Sequence, residues 1–322
     1  MVRKDGDKIT IDPNEKEGQP KSWDDLVEKY GEVIPEEDIK YSKDDYKIKK
    51  KKHKENNAWE WMKEKNYAKI FKEIEKKIEG VIGKGKFEWV DRRVFDQVFD
   101  RKTLLAIYKL MNGGIISELS WPIARGKEAH VFRGEGPNGP IAVKIFHTSN
   151  AVFRNLMKYI EGDTRFGGLK RKHRDLVTVW VRKEYRNLMR LKKNGLAVPE
   201  VFGINENVLV MEYIGDENSP SPRLRDVKIE NPKEVFDELV SFLRISWNEA
   251  NLVHADFSDY NVLIQEGKVR VIDVGQAVPQ NHPYAKEFLV RDVERLRDWA
   301  KKQNIEINLA DLIYDILESK SD

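Results

Sequence analysis

Two carboxylates and an amide stand at set intervals in the second half of the chain. Asp256 and Asn261 lie in His254-Ala255-Asp256-Phe257-Ser258-Asp259-Tyr260-Asn261, and Asp273 follows in Val271-Ile272-Asp273-Val274-Gly275. The stretch from Lys268 to Ile272 reads as a short apolar strand, which puts Asp273 at a strand end. Such a set suits phosphoryl transfer. One carboxylate orients the nucleophile, while the amide and the second carboxylate hold magnesium ions that bridge the phosphates of ATP. The H-x-D-x-x-x-x-N run alone is moderately specific, and its weight depends on a nucleotide-cradling half upstream.

That half is present in the expected order. Ile141-Ala142-Val143-Lys144-Ile145 has the pattern of a strand whose lysine reaches the α- and β-phosphates, although an alternating strand with a surface lysine would look similar. Glu184, within a helical run near Val179 to Lys193, is placed to pair with Lys144 and fix the ammonium. The phosphate loop is degenerate: Ile123-Ala124-Arg125-Gly126-Lys127-Glu128-Ala129 has one glycine where protein kinases have three. Gly126 still permits one close backbone approach to a phosphate, with Lys127 beside it, yet a plain tight hairpin fits the same residues. Val208 to Gly215 reads as a buried strand running into a connection, where backbone groups of Glu212 and Ile214 would meet an adenine edge.

Positioning these groups requires two lobes. Short β-rich runs (Ile123 to Arg133, Pro140 to Phe146, Val201 to Ile204, Val208 to Tyr213) surround the Glu184 helix. Before them, Leu104, Ile107, Tyr108 and Met111 share one helical face, and Asn112-Gly113-Gly114 stops that helix through a left-handed glycine. After them come three helices. The first opens with Asn231 as N-cap and Pro232 at N1, and its apolar face is Phe236, Leu239, Val240, Leu243 and Trp247. The others lie near Tyr284 to Gln303 and Leu309 to Ser319. The expected fold is bilobal α+β with a cleft between the lobes. The expected division is a charged, disordered extension (1–55), an amphipathic helix and linker (56–90), an N-lobe (91–214) and a C-lobe (215–322). The helix in the second segment presents Tyr67, Ile70, Phe71, Ile74 and Ile78.

Composition sets outer bounds. The 322 residues are 40% hydrophobic and 35% charged, enough for a sizeable core. The absence of cysteine excludes disulfides and cysteine-based zinc sites. No apolar run reaches the roughly 18 residues of a membrane span, and no secretory h-region opens the chain, so a soluble cytoplasmic protein is expected. A net charge of +3 is too small to indicate nucleic-acid binding, but Lys47 to Lys54 and Lys170 to Arg174 are nearly all basic. His130, His147 and His282 have no metal-ligand spacing, and Trp121, Trp180 and Trp247 read as core.

Together these motifs resemble the RIO atypical protein kinases, in the archaeal form of the type-1 branch. The likeness is carried by Gly126-Lys127-Glu128-Ala129, by Tyr159, Gly162, Arg165 and Phe166, and by Val208 to Ile214. Pro220, Pro222, HADFSDYN and IDVGQAV complete it, over about Arg101 to Trp299. The resemblance implies a trimmed kinase fold without an activation segment, and ATP with Mg2+ (Mn2+ being an alternative). It also implies a role on the small ribosomal subunit, of pre-40S or 30S type, and its rRNA. Asp256 would be the catalytic residue, Asn261 and Asp273 the metal ligands, and Lys144 with Glu184 the ion pair. Asp273 would also accept a transient phosphoryl group. Two departures from the family pattern stand out: Ala124-Arg125 replaces a Ser-Thr pair, and Gly275 replaces a serine.

Three local features agree with an ATPase-like cycle. Ala255 occupies the arginine position of H-R-D, no A-P-E follows Asp273, and Ser258 stands where Ser/Thr kinases carry a lysine. His254 reads as a structural residue bonding backbone. The long segment Thr148 to Val179 interleaves Arg154, Lys158, Arg165, Lys170, Arg171, Lys172 and Arg174 with Phe153, Tyr159, Phe166 and Trp180, a pattern that would contact rRNA or remain a solvated loop. A monomer is expected. Two rival readings are a non-enzymatic ATP-gated ribosome-binding module and a small-molecule phosphotransferase. Only about fifty residues follow Asp273, short for the acceptor-binding helices of the latter.

Overall fold

The computed structural model describes residues 98–148, 158–161, 163, 165 and 173–318, with 70, 72, 74 and 77. Arg165 apart, these fall in one compact unit built from 52–163 and 172–322. The charged extension, Lys47 to Lys54, Phe153, Phe166 and Lys170 to Lys172 lie outside the described residues.

A five-stranded antiparallel sheet forms the N-lobe, in the order β1-β2-β3-β5-β4. Its strands are β1 (Glu118–Arg125), β2 (Ala129–Gly136), β3 (Gly139–Phe146), β4 (Val201–Asn205) and β5 (Val208–Glu212). The expected single run from Ile123 to Arg133 is two strands broken by the turn Gly126–Glu128, and β1 begins five residues earlier. Trp121-Pro122 hid that start. Proline donates no ladder hydrogen bond, and it is accommodated here because β1 is an edge strand with register shifts on either side of Pro122.

Alternation along the strands decides what each face does. Ile141, Val143, Ile145, Val208 and Val210 are buried against Leu104, Ile107, Leu110 and Met111 of α1 (Arg101–Asn112). Burying a side chain of this size contributes roughly 1.5–3 kcal/mol. Lys144, between two of those strand residues, faces the opposite way toward α2 (His173–Lys193). Asp100 caps α1 by accepting the Thr103 N–H at 2.8 Å. At the other end Gly113 stays right-handed, and Gly114, at φ 74, is the left-handed residue. Ile74 and Ile70, helical as expected, add to this core.

The C-lobe is built on α3 (Pro232–Asn248), α4 (Ala285–Lys302) and α5 (Leu309–Leu317). All five residues of the expected α3 face are buried. Asn231 makes no side-chain cap bond, since its amide donates to Glu234 instead, so Pro232 at N1 starts the helix. Residues 254–261 run between β6 (Leu252–Val253) and β7 (Val262–Gln265), and β7 pairs with β8 (Lys268–Val271). A two-residue turn, Glu266-Gly267, joins them with φ of 51 and 77, the left-handed pair that matches strand twist in a tight hairpin. Only residues 274–284 separate Asp273 from α4, and β9 (Val278–Pro279) occupies part of them. Among the described residues no helix is long and apolar enough to cross a membrane.

Candidate active site

Lys144 is 7% exposed and its ammonium is the hub of the cleft. Nζ lies 2.6 and 2.8 Å from the Glu184 carboxylate oxygens and 3.1 Å from Asp273 Oδ1. Burial opposes the charge on Lys144, but Asp273 and Glu184 outweigh it and hold the ammonium above its ordinary range. Burial likewise pushes the Glu184 carboxyl upward while Lys144 pulls it down. The two short N···O distances are those of a charge-assisted pair, so we take both groups as ionised. Asp273 is also held as a carboxylate: burial works against it, and Lys144 brings it below the usual range. It sits deep among protein groups yet keeps 45% of its side chain accessible, as a residue lining an open cleft does.

The hairpin turn explains how two residues far apart in sequence meet. Val262 pairs with Val271, so Asn261 and Ile272 stand opposite each other, joined by the Ile272 N–H to the Asn261 carbonyl at 2.9 Å. Asp273 is the next residue. Asn261 Nδ2 donates to the Asp256 carbonyl at 3.0 Å and to its Oδ2 at 3.3 Å, so Asp256, Asn261 and Asp273 form one cluster beside Lys144. Asn261 and Asp273 offer an amide oxygen and a carboxylate, the hard donors Mg2+ prefers. Among the described residues no three His, Cys, Asp or Glu side chains cluster as a metal site.

The expected phosphate loop is the three-residue turn between β1 and β2. The Gly126 N–H donates to the Ala129 carbonyl at 2.9 Å, and Lys127 is exposed. Glu128 turns inward, where burial first and Asp273 second push its carboxyl up to about 7. At the lobe connection Glu212 donates its N–H to Glu200, its side chain pairs with Arg270 at 2.6 Å, and the Ile214 carbonyl accepts from Ser221. The Glu212 N–H and the Ile214 carbonyl are therefore engaged within the protein.

Comparison with known proteins fits this geometry. A family model described as the RIO domain matches residues 129–312. The RIO-type serine/threonine-protein kinase Rio1 of Haloferax volcanii is 38% identical over 226 residues, 70% of this chain and 77% of that protein. This chain belongs to the RIO family. Serine/threonine-protein kinase RIO1 of Homo sapiens is 35% identical over 72% of this RIO chain, which spans 42% of the human protein. The crystal structure of the Rio2 kinase–ADP/Mg2+–phosphoaspartate complex from Chaetomium thermophilum matches with a TM-score of 0.53. At 17% identity it covers 70% of this chain and 69% of its own, and it shows the shared trimmed-kinase fold.

Several residues that hold this RIO site were not foreseen. Asp292 on α4 is fully buried, and its two oxygens accept the N–H groups of Ala255 (2.7 Å) and Phe257 (2.9 Å). Arg291 donates to the Ala255 carbonyl, and Arg295 pairs with Asp256 Oδ1 at 2.8 Å. This clamp holds Ala255 at φ 65, a left-handed conformation that costs a non-glycine residue about 1 kcal/mol. On α2, Lys183 donates to the carbonyls of Gly275 and Ala277, and Asn187 donates to those of Val274 and Ala277. The available signal was polar residues inside apolar stripes: Asp292 lies between Phe288 and Leu296, and Lys183-Glu184 and Asn187 lie between Trp180 and Leu191.

His254 has the structural role expected of it. The Asp256 N–H donates to Nδ1 at 3.3 Å and Nε2 faces the Ile272 carbonyl at 3.4 Å, which a neutral ring with its proton on Nε2 satisfies. Burial holds its pKa below the ordinary range. Of the four aromatics in the basic segment, Phe153 and Phe166 lie outside the described residues, and Trp180 is core, the simpler of its two readings. Tyr159 and Trp180 are buried, with their rings 6.3 Å apart and Tyr159 5.3 Å from Phe288, so neither is available to stack on a base. Trp121 is half-buried rather than core, with the Arg133 guanidinium 4.7 Å from its ring centroid.

Proposed function

We propose that this chain is a Mg-ATP-dependent atypical serine/threonine protein kinase with an ATPase-like cycle, acting in small-ribosomal-subunit maturation. The observation that carries the reading is the Lys144 ammonium held at once by Glu184 and Asp273, with Asp256 and Asn261 alongside. A buried cation of this kind suits the α- and β-phosphates, and the Glu212 carbonyl and the Ile214 N–H are the groups that would meet the base edge. Asn261 and Asp273 would hold Mg2+, which when bound would neutralise phosphate charge.

In the kinase half of the cycle Asp256 accepts the proton of a Ser/Thr hydroxyl as its oxygen bonds to the γ-phosphorus and the bond to ADP breaks. In the ATPase half the Asp273 carboxylate takes the phosphoryl group itself, with no proton to remove. Asp256 then deprotonates the water that releases inorganic phosphate. The Rio2 neighbour was solved with ADP, Mg2+ and phosphoaspartate, the species this cycle calls for. The names of the Haloferax and human relatives support the kinase assignment. The family resemblance supports the ribosomal partner.

Single-turnover reaction of the purified chain with γ-labelled ATP, quenched in acid with and without small subunits, tests the proposal. Label should appear on protein as an acid-stable, base-labile acyl phosphate, and Asp273→Asn should remove it. Asp256→Ala should abolish turnover. Fast phosphorylation of a defined protein without measurable ATP hydrolysis would sink the ATPase half.

A further inference from the structure

The catalytic loop carries no cation of its own beside Asp256, since Ala255 precedes it and Ser258 stands two residues on. A cation is nevertheless there. Arg295 reaches across from α4 and places Nη1 2.8 Å from Asp256 Oδ1. Asp292, three residues earlier on the same helix, anchors the flanking N–H groups of Ala255 and Phe257. Residues three apart share a helix face, so the element that fixes the loop backbone also fixes the guanidinium against the carboxylate.

The two oxygens of Asp256 are consequently unlike. Oδ1 is held by a charged donor at 2.8 Å, whereas Oδ2 receives only two long neutral contacts, from Asn261 Nδ2 and Gln276 Nε2, each at 3.3 Å. Charge-assisted bonds are shorter and roughly twice as strong as neutral ones. Oδ2 is therefore the oxygen that can exchange partners for an incoming hydroxyl. A guanidinium stays protonated in proteins, so Arg295 orients the base without competing for its proton.

A cavity of about 430 Å³ lies on the same side. Asp256, Tyr260 and Asn261 of the loop and Arg295, Trp299 and Lys302 of α4 line it, whereas Lys144, Glu184 and Asp273 do not. It thus opens on the catalytic carboxylate away from the phosphate-binding ammonium. We propose that Arg295 is a positioning residue for phosphoryl transfer. It pins Asp256 Oδ1 so that Oδ2 takes the acceptor proton, and the cavity it lines admits the acceptor hydroxyl. The inference rests on the kinase reading above.

The test compares Arg295→Ala, Arg295→Gln, Arg295→Lys and Asp256→Asn in the full chain, with ATP turnover and thermal midpoints measured for each. Arg295→Ala and Arg295→Gln should lower kcat about 10- to 100-fold, the cost of a misplaced catalytic group, with KM for ATP within about twofold of the parent. Arg295→Lys should recover part of the rate. Guanidinium chloride at non-denaturing concentration should raise the rate of Arg295→Ala severalfold, and equal sodium chloride should not. Two results overturn the proposal: kcat within twofold of the parent in both neutral variants, or a loss that tracks a lowered thermal midpoint and yields to neither lysine nor guanidinium. If Asp256→Asn keeps parental turnover, the kinase reading itself falls. If Asp256→Asn is dead while Arg295→Ala is fully active, only the role given to Arg295 falls.

Discussion

The nucleotide side and the catalytic loop of this cleft are held in different ways. Lys144 and Glu184 form a pair almost sealed from water, each side chain under a tenth exposed. Asp256 is about a third exposed and depends on Asp292, Arg291 and Arg295, three residues of a helix more than thirty positions downstream. The first region secures a charge by burying it with a partner. The second secures a loop by clamping its backbone from outside and leaves the working carboxylate accessible. Substrate that must be gripped and an acceptor that must come and go call for these opposite solutions.

Breaking the sealed pair should have the largest effect. Glu184→Ala leaves a buried ammonium facing Asp273 alone, and losing one partner of a buried pair costs about 3–5 kcal/mol. Denaturant unfolding should show that loss, and turnover should vanish with it. Asp292→Asn tests the clamp. A side-chain amide can accept only through its oxygen, so one of the two N–H groups loses its acceptor, at about 1–3 kcal/mol. kcat should fall about tenfold while ATP affinity holds, and a drop confined to ATP affinity would erase the distinction between the two regions.

A subtler probe lies where the regions meet. A Cβ on Gly275 would stand 3.0 Å from Trp180 Nε1 and 3.1 Å from Glu184 Oε2. Gly275→Ala should therefore nudge Glu184 and lower kcat severalfold, at about 1 kcal/mol of stability. A last probe concerns pH rather than a lost contact. The Glu128 carboxyl, raised to about 7 from 4.5, keeps in the folded state a proton that the unfolded chain releases. Its contribution to stability is present below about pH 4.5 and is lost as pH rises through 7. The thermal midpoint of Glu128→Gln should gain on the parent between pH 5 and 8, and a constant difference across that range would refute the assignment.

How far these features were legible in the sequence follows the same divide. Lys144, Asp256, Asn261 and Asp273 announce themselves because hydrogen-bonding geometry ties each to a local element of set length, whereas Glu184 on its charged helix gained weight only from its place in the order of motifs. The α3 face and the α1 core were legible through helical periodicity for the same reason. Arg295 and Asp292 were not, because a charged residue on a charged helix becomes informative only once its tertiary partner is known. The start of β1 was hidden by Pro122, which argues against a strand until the strand is known to be an edge. Tyr159 read as part of an RNA-stacking pattern, and Trp180 as either that or core, because aromatic spacing alone does not tell which rings the core has claimed.

The tight turn at Glu266-Gly267 gives the interval between Asn261 and Asp273 the character of a measured length. Each residue of β7 or β8 advances the chain by roughly 3.4 Å and turns its side chain to the opposite face. One residue inserted in either strand would carry Asp273 past its partner and aim it away from Lys144. Lengthening both strands together would preserve facing but move the turn outward. The hairpin is thus a ruler whose graduations come in matched pairs, and the interval from Asn261 to Asp273 can drift only by whole pairs.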